Sequence, residues 1–251
     1  MTRLVQSEWT KLLTTRVWMG LLAGACLLGG GFAALLTTFA GDANSGLPPV
    51  GTAAFEKLAF AVAANGTVLT LVLGIIGMTQ EYRHRTATPT FLASPHRGRV
   101  VVAKLVAYAL AAVPFAVVVC AVTLLVVFVY AGARGAAPSF SADNVAVLAR
   151  AGLAMVIYAV IGVGLGALMR NQVGAIVGAL VYLYVIEPII SGIPATAGAY
   201  KWLPGGALQA MTATTEGPDV LGAGPGALLL LGYGLLAALL GTFLAVRRDV
   251  V

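Results

Sequence analysis

Residues 148–191 read LARAGLAMVIYAVIGVGLGALMRNQVGAIVGALVYLYVIEPIIS. Two apolar blocks, 148–169 and 173–191, are parted only by Arg170, Asn171 and Gln172. Each block has about twenty residues, the length at which a helix crosses a hydrocarbon layer of about 30 Å. So short a connection predicts an antiparallel helical hairpin with its tip in water and both helices in lipid.

Working outward, the same reading finds blocks at 17–40, 58–79, 102–130 and 225–246, which makes six spans in all. The block at 102–130 is too long to stand upright in a bilayer and carries Pro114 near its middle, which predicts a tilt or a kink. The block from Val17 to Ala40 exceeds the roughly 7 to 15 apolar residues of a cleavable signal peptide and predicts a retained helix. Composition agrees: 60% of residues are hydrophobic and 10% charged, against about 25% charged in a soluble domain. The expected fold is an all-α integral membrane protein of six transmembrane helices, with residues 1–251 as one membrane domain.

Lys and Arg divide unevenly between alternate sides. Eleven fall on the side of the N-terminus: Arg3, Lys11, Arg16, Arg83, Arg85, Arg97, Arg99, Lys104, Arg170, Arg247 and Arg248. Four fall on the other: Lys57, Arg134, Arg150 and Lys201. That bias predicts cytoplasmic termini, with the loop after the second span and the hairpin tip on the same side, and the Arg-rich, Lys-poor composition fits a bacterial cell membrane. The bias also accounts for the net charge of +6, so no nucleic-acid partner is expected. Within residues 1–16, Val5, Trp9, Leu12 and Leu13 recur at helical spacing while Arg3, Ser7, Thr10, Lys11 and Thr14 take the opposite face, which predicts a helix lying in the membrane interface. The outer segment 191–223 is cut by Pro194, Pro204, Gly205, Gly206, Gly217 and Pro218, yet its pieces 189–193 and 207–213 stay apolar. Broken apolar segments of this kind enter a membrane where other helices shield their backbone groups, so short re-entrant helices are expected there.

No G-x-x-x-x-G-K-[ST] phosphate loop occurs, and no H-E-x-x-H or paired acids fall in the spans. Cys26 and Cys120 lie in apolar blocks, far from His84 and His96, and read as small hydrophobes. The chain is expected to be non-catalytic, with neither cofactor nor metal of its own. Across the six spans only Glu187, at an outer end, is expected to place a charge at membrane depth. An ion-coupled pump needs more, so the energy for any transport should come from a partner. Asn65, Thr67, Thr70 and Thr123 either line a path or bond between helices. Glu187 and Asn65 are the candidates for an outer gate or substrate path. The pairs Gly20/Gly24, Gly162/Gly166 and Gly174/Gly178 permit close helix approach, within one chain or between copies.

The longest charged stretch, residues 79–99, reads TQEYRHRTATPTFLASPHRGR. Thr88 can cap a helix that begins at Pro89, presenting Phe91 and Leu92 as an apolar knob ringed by Arg83, Arg85 and Arg97. Such a loop docks on a protein or binds anionic headgroups. With Glu81, Tyr82, Arg83 and Thr86 followed by Leu92, Ser94, Pro95, Arg97 and Lys104, the chain resembles the permease subunits of type-2 ABC exporters. Glu8–Leu12 and Tyr200–Ala207 are similar to that family as well, whereas Arg85 and Thr88-Pro89 depart from its usual pattern. The resemblance implies separate ABC ATPase subunits that bind ATP and Mg, and a second permease copy or a related permease. It implies that 80–104 holds a cytoplasmic coupling helix, with Glu81, Tyr82, Arg83, Arg85, Thr86, Phe91, Leu92 and Arg97 coupling to the ATPase. It further implies that the first and fifth spans meet at the dimer axis, where Gly20, Gly24, Gly174 and Gly178 lie. The function expected is ATP-driven export of an apolar or amphipathic substrate by alternating access. A stand-alone secondary transporter or channel, and a non-transporting membrane anchor, are the alternatives.

Overall fold

The computed structural model describes residues 2–83, 97–212 and 221–247, without the side chains of Arg97 and of residues 244–247. Among these residues every regular element is helical. Helix α1 (Thr2–Thr14) precedes α2 (Val17–Phe39), the first span. The second span is built from α3 (Ala53–Ala61), a 3-10 turn (Val62–Gly66) and α4 (Thr67–Arg83). Then come α5 (Arg97–Ala133), α6 (Ala142–Met169) and α7 (Gln172–Val181), the last continued by a π-helical turn (Tyr182–Ile186) into α8 (Glu187–Gly192). Short helices α9 (Ala197–Tyr200) and α10 (Pro204–Thr212) lead to α11 (Ala223–Arg247), the sixth span.

Six helical segments are long and apolar enough to cross a membrane, and they coincide with the six blocks of the sequence. They alternate between the side that carries α1, the N-terminal side, and a far side that carries 40–52, 134–141 and 193–212. The segments at Ala53–Arg83, Gly98–Ala133 and Ala142–Met169 outrun their apolar blocks, and Glu187 is not the lone charge on a candidate span. Glu56, Glu81 and Lys104 lie on spans too. Helix α3 starts early because the Thr52 side chain caps it, accepting from the Phe55 N–H. Glu56, now inside the helix, is buried at the far side and accepts from Ser139 N–H at 3.1 Å, Ser139 Oγ at 2.8 Å and Asn144 Nδ2 at 2.5 Å. A buried carboxylate so fully bonded is a strap holding the 134–141 loop to α3.

The second and fourth spans form the buried pillar of the bundle, and α4 against α6 is its most extensive contact. Lipid gives helices little hydrophobic reason to associate, so close backbone packing must do it. A Cβ at Gly162 would collide with the Leu71 carbonyl oxygen, and one at Gly74 with that of Ala159. The pair Gly162/Gly166 is therefore spent inside the chain. Helix α5 runs without interruption through Pro114. The hairpin tip turns at Arg170, whose φ of 50° is left-handed, and Asn171 caps α7 by accepting from the Gly174 N–H at 2.9 Å. Beyond the π turn, α10 folds back into the bundle. Ala207 and Met211 are buried with Tyr158 and Leu230, and the Tyr158 hydroxyl donates to the Pro204 carbonyl at 3.2 Å.

Candidate functional site

Two polar centres stand out, one on each side. On the N-terminal side, α1 supplies Glu8 and Lys11, the end of α4 supplies Glu81, and the start of α5 supplies Lys104. Lys11 Nζ donates to Glu8 Oε1 and Glu81 Oε1, each at 2.7 Å. Lys104 Nζ donates to Glu8 Oε2 at 2.7 Å and to the Gly77 carbonyl at 3.1 Å, and lies 3.2 Å from Glu81 Oε1. Lys104 is fully buried, Glu8 is 4% exposed and Glu81 is 5% exposed. Two ammonium and two carboxylate groups thus alternate with no net charge. Isolated, each buried ion would cost several kcal/mol, so the cluster holds only as a set. Burial pulls the Lys11 pKa down, but its bonds to Glu8 and Glu81 and their charges outweigh that and raise it above 10.5. Lys11 was expected on the polar face of an interfacial helix; its long stem carries the ammonium round to Glu81 instead. Leu12 is buried, and Val5 and Trp9 pack against a core containing Tyr108 and Leu73. This face of α1 therefore rests on protein.

Glu81 and Lys104 flank the segment 84–96. Both of its roots are consequently tied to α1 and to each other. Tyr82 lies beneath the Arg170 guanidinium, 5.7 Å from the ring centroid, which joins the hairpin tip to the same region. Arg83 is exposed. Arg85, Thr86, Phe91 and Leu92, and with them the expected coupling helix, lie outside the described residues, as does the side chain of Arg97.

On the far side a cavity of about 290 Å³ opens between the 3-10 turn, α6, the π turn and α10. Asn65 and Glu187, singled out separately in the sequence, both line it, together with Tyr158, Tyr200 and Gln209. The π turn sets Glu187 there: its N–H reaches the Tyr182 carbonyl five residues back, and Pro188 follows where a straight helix would resist it. Glu187 is 2% exposed. Its Oε2 accepts from the Gly205 N–H at 2.9 Å, and a Cβ at Gly205 would collide with that oxygen. Among the described residues Oε1 is buried without a hydrogen-bond partner. The Tyr182 side chain interacts with the carboxylate without closing a bond to Oε1. Burial, and then the Glu187 charge, push the Tyr200 hydroxyl above its ordinary pKa, so it stays protonated.

The four glycines expected at a dimer interface have room around them. A Cβ at Gly20 would meet nothing within 4 Å, and at Gly24, Gly174 or Gly178 only side chains at 3.5 Å or more. Sequence reasoning met Glu8 only as the start of a family likeness and missed its part in the ion cluster, along with the tight contacts of Gly74, Gly77 and Gly205. Glu8 and Lys11 at i and i+3 were the available signal.

A family model described as ABC-2 family transporter protein matches residues 4–186. That stretch includes the whole ion cluster and Asn65, and ends one residue before Glu187. No curated protein matches the chain.

Proposed function

The chain belongs to the ABC-2 family of transporter proteins as a multi-pass membrane permease, and we propose that it works as the export half of a pump driven by separate ABC ATPases. The observation that carries this reading is the Glu8, Lys11, Glu81, Lys104 cluster. It clamps both roots of the 84–96 segment onto α1, α4 and α5. A partner pressing on that segment would move three helices as one body, since a buried ion set resists being pulled apart. ATP and Mg would be held by the partner, whose closure drives the segment. The basic side then faces the cytoplasm, as its eleven Lys and Arg favour, and the far-side cavity opens outward. Two permeases, alike or related, would meet through the first and fifth spans. These are among the least buried spans, and the open surfaces at Gly20, Gly24, Gly174 and Gly178 suit close approach by another helix. The substrate is apolar or amphipathic.

The test is purification from native membranes followed by reconstitution. An ATPase should accompany the wild-type chain, and ATP should drive accumulation of substrate. Phe91→Ala should uncouple hydrolysis from transport, since a central apolar side chain dominates an interface, whereas Arg97→Ala at the rim should do so weakly. If no ATPase accompanies the chain and transport proceeds without one, the stand-alone transporter takes its place.

A further inference from the structure

We propose that the far-side cavity is a binding site for an amphipathic ligand bearing a primary ammonium group, held by Glu187. Three observations converge. First, Glu187 is 2% exposed and has one oxygen bonded to the Gly205 backbone, while the other lacks a hydrogen-bond partner among the described residues. A buried carboxylate seldom persists half satisfied, because each unpaired polar atom forfeits its hydration without return. Second, Thr67 and Thr212 line the same cavity with Asn65, and both hydroxyls already give their protons to the Ala64 and Leu208 carbonyls, so that their oxygens are left to accept. An ammonium has three donors and no acceptor, which suits one carboxylate oxygen plus neutral acceptors better than a hydroxyl or an anion would. Third, Leu58, Leu183 and Leu208 supply an apolar remainder, and about 290 Å³ accommodates a small organic cation.

The glycine at 205 supports the same assignment. It brings the backbone N–H within 2.9 Å of Oε2 and leaves no room for a side chain there. That contact, beside the Tyr182 side chain, fixes the carboxylate, and Oε1 has no hydrogen-bond partner among the described residues. The site differs in kind from the ion cluster on the other side, where both carboxylates are bonded on the two lysines.

That the bound cation is the exported substrate rests on the exporter reading; the binding does not. The experiment uses the full chain in lipid nanodiscs without ATPase or ATP, titrated calorimetrically with 2-phenylethylammonium, its neutral isostere 2-phenylethanol and the anion 3-phenylpropionate. The ammonium should bind saturably and at least tenfold more tightly than the other two. Glu187→Gln should weaken it at least tenfold, and Gly205→Ala, which displaces the carboxylate without removing it, should weaken it as well. A control outside the cavity, Leu228→Ala, should bind as wild type does. Absence of saturable binding, equal binding of the three probes, or an unchanged affinity in Glu187→Gln would overturn the site. Glu187-dependent binding of an amine that the ATPase complex then fails to transport would leave the site standing and sever it from export.

Discussion

Glu81 and Glu187 are buried almost equally, at 5% and 2% exposure, yet they sit in opposite electrostatic circumstances. Glu81 shares two lysines with Glu8. Glu187 has one backbone donor, a contact from the Tyr182 side chain and, among the described residues, an oxygen without a hydrogen bond. Burial of a charge therefore does not reveal its role, whereas the inventory of its partners does. A saturated set such as Glu8, Lys11, Glu81 and Lys104 holds helices together. A half-satisfied carboxylate on a cavity wall is poised to take a partner from outside the chain.

The largest effect expected from this contrast is at Lys104. Lys104→Met would leave Glu8 and Glu81 sharing Lys11 alone in a buried place, at a cost of about 3 to 5 kcal/mol, the usual loss when one member of a buried ion set is removed. Thermal unfolding in detergent would read it as a large drop in midpoint. Adding Glu8→Gln should recover part of the loss. Strictly additive effects of the two changes would show that the cluster is not coupled.

A smaller effect is expected at the seam between the two sites. The second span carries Glu81 at one end and Asn65 in its 3-10 turn, and it is packed on α6 through Gly74 and Gly162. Gly162→Ala should cost about 1 to 3 kcal/mol, since its Cβ meets a backbone carbonyl rather than a flexible side chain. It should also disturb both sites, lowering transport and ammonium binding together. Gly174→Ala, in open surroundings, should leave the stability of the single chain unchanged. Loss at only one of the two sites in Gly162→Ala would mean that the seam does not join them.

The sequence made the lipid-facing architecture readable because apolar length is a one-dimensional signal. The blocks 17–40 and 173–191 became α2 and the α7 to α8 segment with little change. Asn65 and Glu187 were legible as polar groups in apolar surroundings, and the structure places both on one cavity. Their meeting was not legible, because it depends on the 3-10 turn at Val62–Gly66 and the π turn at Tyr182–Ile186, neither of which leaves a periodic trace. The ion cluster was hidden for a related reason. Glu8 and Lys104 are 96 residues apart, and only tertiary packing shows that the charges flanking the apolar blocks turn inward. The glycine pattern could not separate Gly162/Gly166 from Gly20/Gly24. Spacing is the same in both, and the difference lies in what faces them.

The contrast between the two carboxylates is tested most directly by placing Glu81→Gln and Glu187→Gln side by side, with unfolding midpoint and 2-phenylethylammonium affinity measured on each in the same nanodiscs. The two variants should cross over. Glu81→Gln should lose stability by about 3 kcal/mol or more, because Lys11 and Lys104 are left with one carboxylate, while the folded fraction still binds the amine. Glu187→Gln should stay within about 1 kcal/mol of wild type, since it removes a charge that nothing in the chain fully compensates, and should lose the amine at least tenfold. Glu187→Gln that unfolds as readily as Glu81→Gln yet binds as wild type does would contradict the account, because Glu187 would then be a structural group like the others.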